Sequence, residues 1–133
     1  MDLQQYFTET KGLGVLSTAD AEGAVNSALY ARPHFFDDGT IGFIMPDRLT
    51  HQNLQANARA VFLFREESGT RDKGYRGKRL YLKKVSEDQD QERIAELRRR
   101  EYGDDRDGRY LVLFEVEKEL PLVGPGEDRA EEG

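Results

Sequence analysis

The stretch from Thr40 to Phe64, TIGFIMPDRLTHQNLQANARAVFLF, restricts the possible folds more than any other part of the chain. Ile41 to Met45 is an apolar run of the length of a buried strand. Pro46 and Asp47 end it, because proline brings no N–H to a sheet ladder. Leu49, Asn53, Leu54 and Ala56 then recur at helical spacing, and Asn57 stands where a C-terminal cap belongs. Ala60 to Phe64 is apolar on both faces, which suits a central strand. The order is strand, turn, short helix, strand. A helix that starts at a strand end offers unpaired amide N–H groups and the positive end of its dipole, a place for an anion. Arg48, Leu49 and Thr50 occupy that start.

The flanking segments supply more strands. Met1 to Lys11 reads as a helix with Leu3, Tyr6 and Phe7 on one face, closed by Lys11-Gly12. Leu13–Thr18 and Ala24–Phe36 flank an Asp20–Gly23 turn and form a hairpin, and Pro33 marks an edge or a bulge in the second strand. Asp37-Asp38-Gly39 is the next turn. Lys78–Val85 alternates, with Leu80 and Leu82 on one face and Arg79 and Lys83 on the other, toward solvent or a partner subunit. Ser86 with Gln89 has a capping-box spacing, opening a helix to about Tyr102 with Gly103 as its cap. Arg109–Lys118 is the last strand. Six strands joined mostly as hairpins predict a mainly β protein with peripheral helices, a six-stranded antiparallel closed or split β-barrel, since closure removes exposed edges. Residues 1–123 make one domain, and 124–133 read as a disordered acidic tail.

Composition excludes several classes. The 133 residues contain no cysteine, which removes disulfides, thiolate metal sites and cysteine nucleophiles and fits a reducing cytoplasm. No apolar run is long enough to cross a bilayer, so no membrane role is expected. Net charge is −6, but Arg48 to Lys84 carries ten Lys and Arg against three acids. That local excess attracts a small anion while the acidic remainder repels polynucleotide phosphates, so no nucleic-acid partner is expected. His34 and His51 are the two histidines. They lie apart in the sequence, without a clustered acid set around them, so no metal site is expected.

The order of GVLSTADAEG (14–23), ARPHFFDDGTIGF (31–43) and DRLTHQNLQANARAVFLF (47–64) resembles the flavin-binding split-barrel family of pyridoxamine 5′-phosphate oxidase and its small single-domain relatives. Asn53-Leu54 matches the family's Asn-Leu pair, and Asn57-Ala58-Arg59 stands where Asn-Pro-Arg is usual. The resemblance implies a homodimer with FMN in the cleft between subunits. It implies that Tyr30, Ala31 and Arg32 lie along the ring edge, that Ile44 and Met45 end the neighbouring strand, and that Arg48, Leu49 and Thr50 meet the phosphate. Asn53 and Arg79 are further candidates. Leu49-Thr50 replaces the adjacent Arg-Lys frequent in the oxidases, and the segment that closes their substrate pocket has no evident counterpart. Two functions follow as expectations. One is a flavin-dependent oxidoreductase or electron carrier acting with a small redox substrate or electron-transfer partner. The other is a non-catalytic binding module that uses the same cleft for haem or a deazaflavin, or for no ligand. No residue stands out as a catalytic acid or base.

Overall fold

The computed structural model describes residues 2–67, 75–98 and 108–124. Strands β1 (Gly12–Ala19), β2 (Val25–Tyr30), β3 (His34–Phe35), β4 (Ile41–Pro46), β5 (Arg59–Glu66), β6 (Gly77–Asp88) and β7 (Arg109–Pro121) form one sheet in the order β2-β1-β5-β6-β7-β4-β3. Every pairing is antiparallel. Helices are α1 (Leu3–Glu9), α2 (Leu49–Ala56) and α3 (Gln91–Leu97).

Seven strands replace the six expected, and the reason is Pro33. The segment read as one strand from Ala24 to Phe36 breaks at Ala31–Pro33, and its two pieces go to opposite edges of the sheet. Chain geometry then dictates the shape. Tyr30 and His34 can be no more than about 14 Å apart, at about 3.5 Å per extended residue. A flat seven-stranded sheet at about 4.8 Å per strand would hold its edges nearly 30 Å apart. The sheet must curl until its edges approach, which makes a split barrel. Register shifts in the β6–β7 ladder at Tyr81/Leu82 and Lys84/Ser86 contribute bends.

Leu16, Phe43, Met45, Phe62, Phe64, Leu80, Leu82 and Phe114 fill the interior. Gly14 lets this core close: a Cβ there would fall 2.4 Å from the Phe62 ring and 2.6 Å from the Tyr30 carbonyl oxygen. Phe7 of α1 packs on Phe64, their ring centroids 4.9 Å apart. α2 buries Leu54, and Asn53 Nδ2 donates to Thr18 Oγ1 (3.1 Å), which fixes the helix on β1.

The expected Ser86 cap is not formed. β6 continues through Ser86, which pairs with Leu113, and Asp90 caps the next helix by accepting from the amides of Glu92 and Arg93. Cross-strand pairing with the long β7 outweighs a local capping signal here. The expected end of that helix at Tyr102 and Gly103, and the acidic tail, lie outside the described residues.

Candidate functional site

The end of β4 and the start of α2 bring together groups from four places in the sequence. Arg48 is the N-cap of α2 and makes no side-chain cap hydrogen bond. The first helical bond runs from Gln52 N–H to the Arg48 carbonyl, so the amides of Leu49, Thr50 and His51 precede the ladder, as in any first turn. Thr50 is buried. Its Oγ1 accepts from Asn26 Nδ2 of β2 (3.3 Å). Burial raises the Tyr30 phenol above its ordinary value, while the Thr50 hydroxyl and the Arg109 and Arg48 guanidinium charges act in the opposite direction. Arg109 opens β7 directly opposite Pro46. The start of α2 thus carries an arginine and a threonine, with the Tyr30 phenol and the Arg109 charge in the same neighbourhood, a set of groups suited to a dianionic oxyanion.

Beside it lies a cavity of about 770 Å³, lined among others by Phe7, Tyr30, Arg32, His34, Ile44 and Arg109. That volume is within the range of about 300–1,000 Å³ typical of cofactor pockets. Tyr30 and Arg109 join the cavity to the helix start.

The sequence-derived candidates divide by position. Tyr30, Ala31, Arg32 and Ile44 line the cavity. Arg48, Leu49 and Thr50 form the helix start, where Leu49 is 53% exposed. The Arg32 guanidinium donates to the carbonyls of Phe7 (2.8 Å) and Thr10 (3.0 Å), tying the end of α1 to the cavity wall. Met45 turns its side chain into the core and leaves only backbone to a ligand. Asn53 is buried in its bond to Thr18. Arg79 is away from both places, on the outer face of β6, where its Nε donates to the Pro121 carbonyl (2.7 Å). Arg98, read as part of an exposed helix, is the C-cap of α3 and lines the cavity.

Three contributors escaped the sequence reading. Asn26 and Arg109 reach Thr50 and Tyr30 only through sheet register. His51 does have an acid set, contrary to expectation. Its Nδ1 lies 2.8 Å from Asp47 Oδ1, and its Nε2 lies 3.2 Å from both Glu87 oxygens. The i, i+4 spacing of Asp47 and His51 on a helix start was the available signal. Asp47 and Glu87 meet opposite ring nitrogens, so the three do not converge on one point, and among the described residues no acid–histidine group is arranged to hold a metal ion. Burial works against the charged form of Glu87, but hydrogen bonds from Lys84, Gln55 and His51 outweigh it and hold the carboxyl at about 2. No helix among the described residues is long and apolar enough to cross a membrane.

No protein-family profile and no curated protein matches the sequence. Solved structures do match the fold. An FMN-binding protein from Syntrophomonas wolfei subsp. wolfei superposes with a TM-score of 0.72 and 25% identity, over 90% of this chain and 82% of that one. HutZ, the haem storage protein from Vibrio cholerae, gives 0.63 and 17% identity over 95% of each chain. An F420 reductase gives 0.61 and 17% identity over 90% of this chain and 97% of the other. The fold is therefore the split barrel found among flavin- and haem-binding proteins, as the resemblance implied.

Proposed function

We propose that this protein is an FMN-binding split barrel that serves as a flavin-dependent oxidoreductase or electron carrier. The observation that carries the reading is the pairing of an oxyanion seat with a ring-sized cavity. Arg48 and Thr50 stand at the start of α2, and Tyr30 and Arg109, whose phenol and charge act on one another, line the cavity beside it. A phosphate at one end of a planar aromatic ligand matches that layout. Arg48 and Arg109 would hold the phosphate, the Thr50 hydroxyl would add a neutral donor, and Tyr30 and Ile44 would flank the ring system. Bound flavin would supply hydride and electron transfer, while the chain supplies position and polarity.

The functional unit in this reading is a homodimer. Val25 and Leu29 are 79% and 68% exposed on β2. The register continues that outward face through Val15 to Leu63 on β5, so the apolar residues form a contiguous patch rather than scattered points. Arg79 lies on the same outer face, opposite Leu63, which would bring it to a partner subunit's ligand.

The test is titration with FMN. Flavin fluorescence should change on binding, and the melting temperature should rise, because about 100-fold excess over Kd adds roughly 2.7 kcal/mol to stability. A chain that responds to neither FMN nor riboflavin would remove the flavin reading.

A second reading has its own support. His34 lines the cavity and is only half-buried, so haem binding has an axial candidate there. His51 is unsuited to that role, since both ring nitrogens face carboxylates. Addition of haemin with a Soret band that is lost in His34→Ala, and no response to flavin, would favour this reading.

A further inference from the structure

His51 is placed to control a carboxylate next to the anion seat. It occupies the third position of α2, with its side chain 6% exposed. Its ring stacks on Tyr110 of β7, with centroids 3.9 Å apart and planes 21° from parallel. On the β6 side, Nε2 meets Glu87, which Lys84 Nζ also approaches to 2.9 Å. Gln55 Nε2 is 3.1 Å from the same ring nitrogen, but it also lies 3.0 Å from Glu87 Oε1 and 3.2 Å from the His51 carbonyl, acceptors for both of its protons. The ring is thus fixed by β6 and β7 independently of Asp47.

Asp47 is held differently. Its side chain is 56% exposed, and His51 Nδ1 is the group that orients it. It directly precedes Arg48, the N-cap, in a helix whose start has no side-chain cap. Short acidic side chains at a helix start bond readily to first-turn amides. Asp2 and Asp90 do so here, accepting from Gln5 in α1 and from Glu92 and Arg93 in α3. Asp47 instead points to His51.

We infer that His51 is a positioning residue that keeps the Asp47 carboxylate off the amides of α2, and so keeps the anion seat open. Without the Nδ1 donor, Asp47 turns onto the Leu49 and Thr50 amides and competes with an incoming phosphate. The inference rests on the reading of the α2 start as a phosphate seat, and its chemistry is competition between one internal and one external oxyanion.

The experiment is a double-mutant cycle with His51→Gln and Asp47→Ala, titrated with FMN and with riboflavin. Glutamine keeps a donor near the position of Nε2 and deletes the one at Nδ1. His51→Gln should weaken FMN about five-fold or more and leave riboflavin nearly unchanged, about 1 kcal/mol of selectivity. Asp47→Ala, which leaves no side-chain acceptor, should recover that loss in the His51→Gln background and give a clearly smaller gain in the wild-type background, a non-additivity expected of groups in contact. Equal gains in the two backgrounds would overturn the inference, because they report only removal of a charge. His51→Phe, which keeps a ring against Tyr110, is the second variant and should show the same coupling. A parallel measurement needs no ligand: the Leu49 and Thr50 amide resonances should move downfield in His51→Gln and return in the double variant. Should the wild type bind no FMN, the phosphate reading fails while these resonances still decide the role of His51. Unmoved resonances overturn it.

Discussion

Arg48 and Arg109 stand 61 positions apart in the numbering, and their charges act on the same phenol from unrelated elements. A charge-assisted hydrogen bond to phosphate contributes about 1.5–3 kcal/mol, against about 0.3–1 kcal/mol for the helix dipole. The side chains therefore dominate the seat. Arg48→Ala is expected to weaken FMN about ten-fold or more, since about 1.4 kcal/mol is ten-fold, and to leave riboflavin nearly unaffected. Arg109→Ala should show the same selectivity. Arg76→Ala is the control, an exposed arginine just before β6. Isothermal titration with both ligands reads the ratio. Equal losses for FMN and riboflavin would make either arginine structural. Loss of neither would move the phosphate elsewhere.

At the level of elements, Glu87 fastens β6 to α2 through His51 and Gln55. Its folded-state value of about 2 lies below the ordinary 4.5. The carboxylate therefore stabilises the fold above about pH 4.5, and that contribution disappears as pH falls toward 2. The melting temperature of the wild type should drop over this window, and Glu87→Gln should flatten part of the drop by starting lower at pH 6. Identical profiles would show that Glu87 contributes no differential stability. The elements themselves were largely legible from sequence. Strand, turn, helix and strand from Thr40 to Phe64 all formed, because polar punctuation and apolar periodicity agreed there. The misplaced cap at Ser86 and the undivided strand over Pro33 have a common cause. Both depend on which distant strand pairs with the segment, and local spacing carries no record of that. The site was half legible for the same reason. Arg48, Leu49 and Thr50 are contiguous with the helix start, whereas Asn26 and Arg109 arrive by register. Asp47 and His51 were within reach of the periodicity argument, and Glu87 was not.

For the whole molecule, the proposed dimer rests on the outer face of β2, β1 and β5. Leu29, Val15 and Leu63 are cross-strand neighbours on that face. An obligate dimer built on it would bury on the order of 2,000 Å² or more. Leu29→Lys places a charge in the patch and is expected to yield a monomer in sedimentation, with weaker FMN binding if the cleft lies between subunits. A wild-type monomer at micromolar concentration that still binds flavin would refute the dimer.

β7 is last in the sequence yet sits between β6 and β4 in the sheet. A chain emerging from the ribosome can pair β1, β2, β5 and β6 as one ribbon, and β3 with β4 as another, before residue 109 is made. Until then both ribbons end in an unsatisfied backbone edge, the kind of surface that recruits chaperones or pairs with a neighbouring nascent chain. Barrel closure thus waits for β7, the one strand that bridges the two halves. A chain halted after Gly108 should accumulate in the insoluble fraction, and the folding force on a stalled nascent chain should appear only after Pro121 clears the exit tunnel. Cooperative unfolding of a soluble 1–108 fragment would show instead that the first half closes without its final strand.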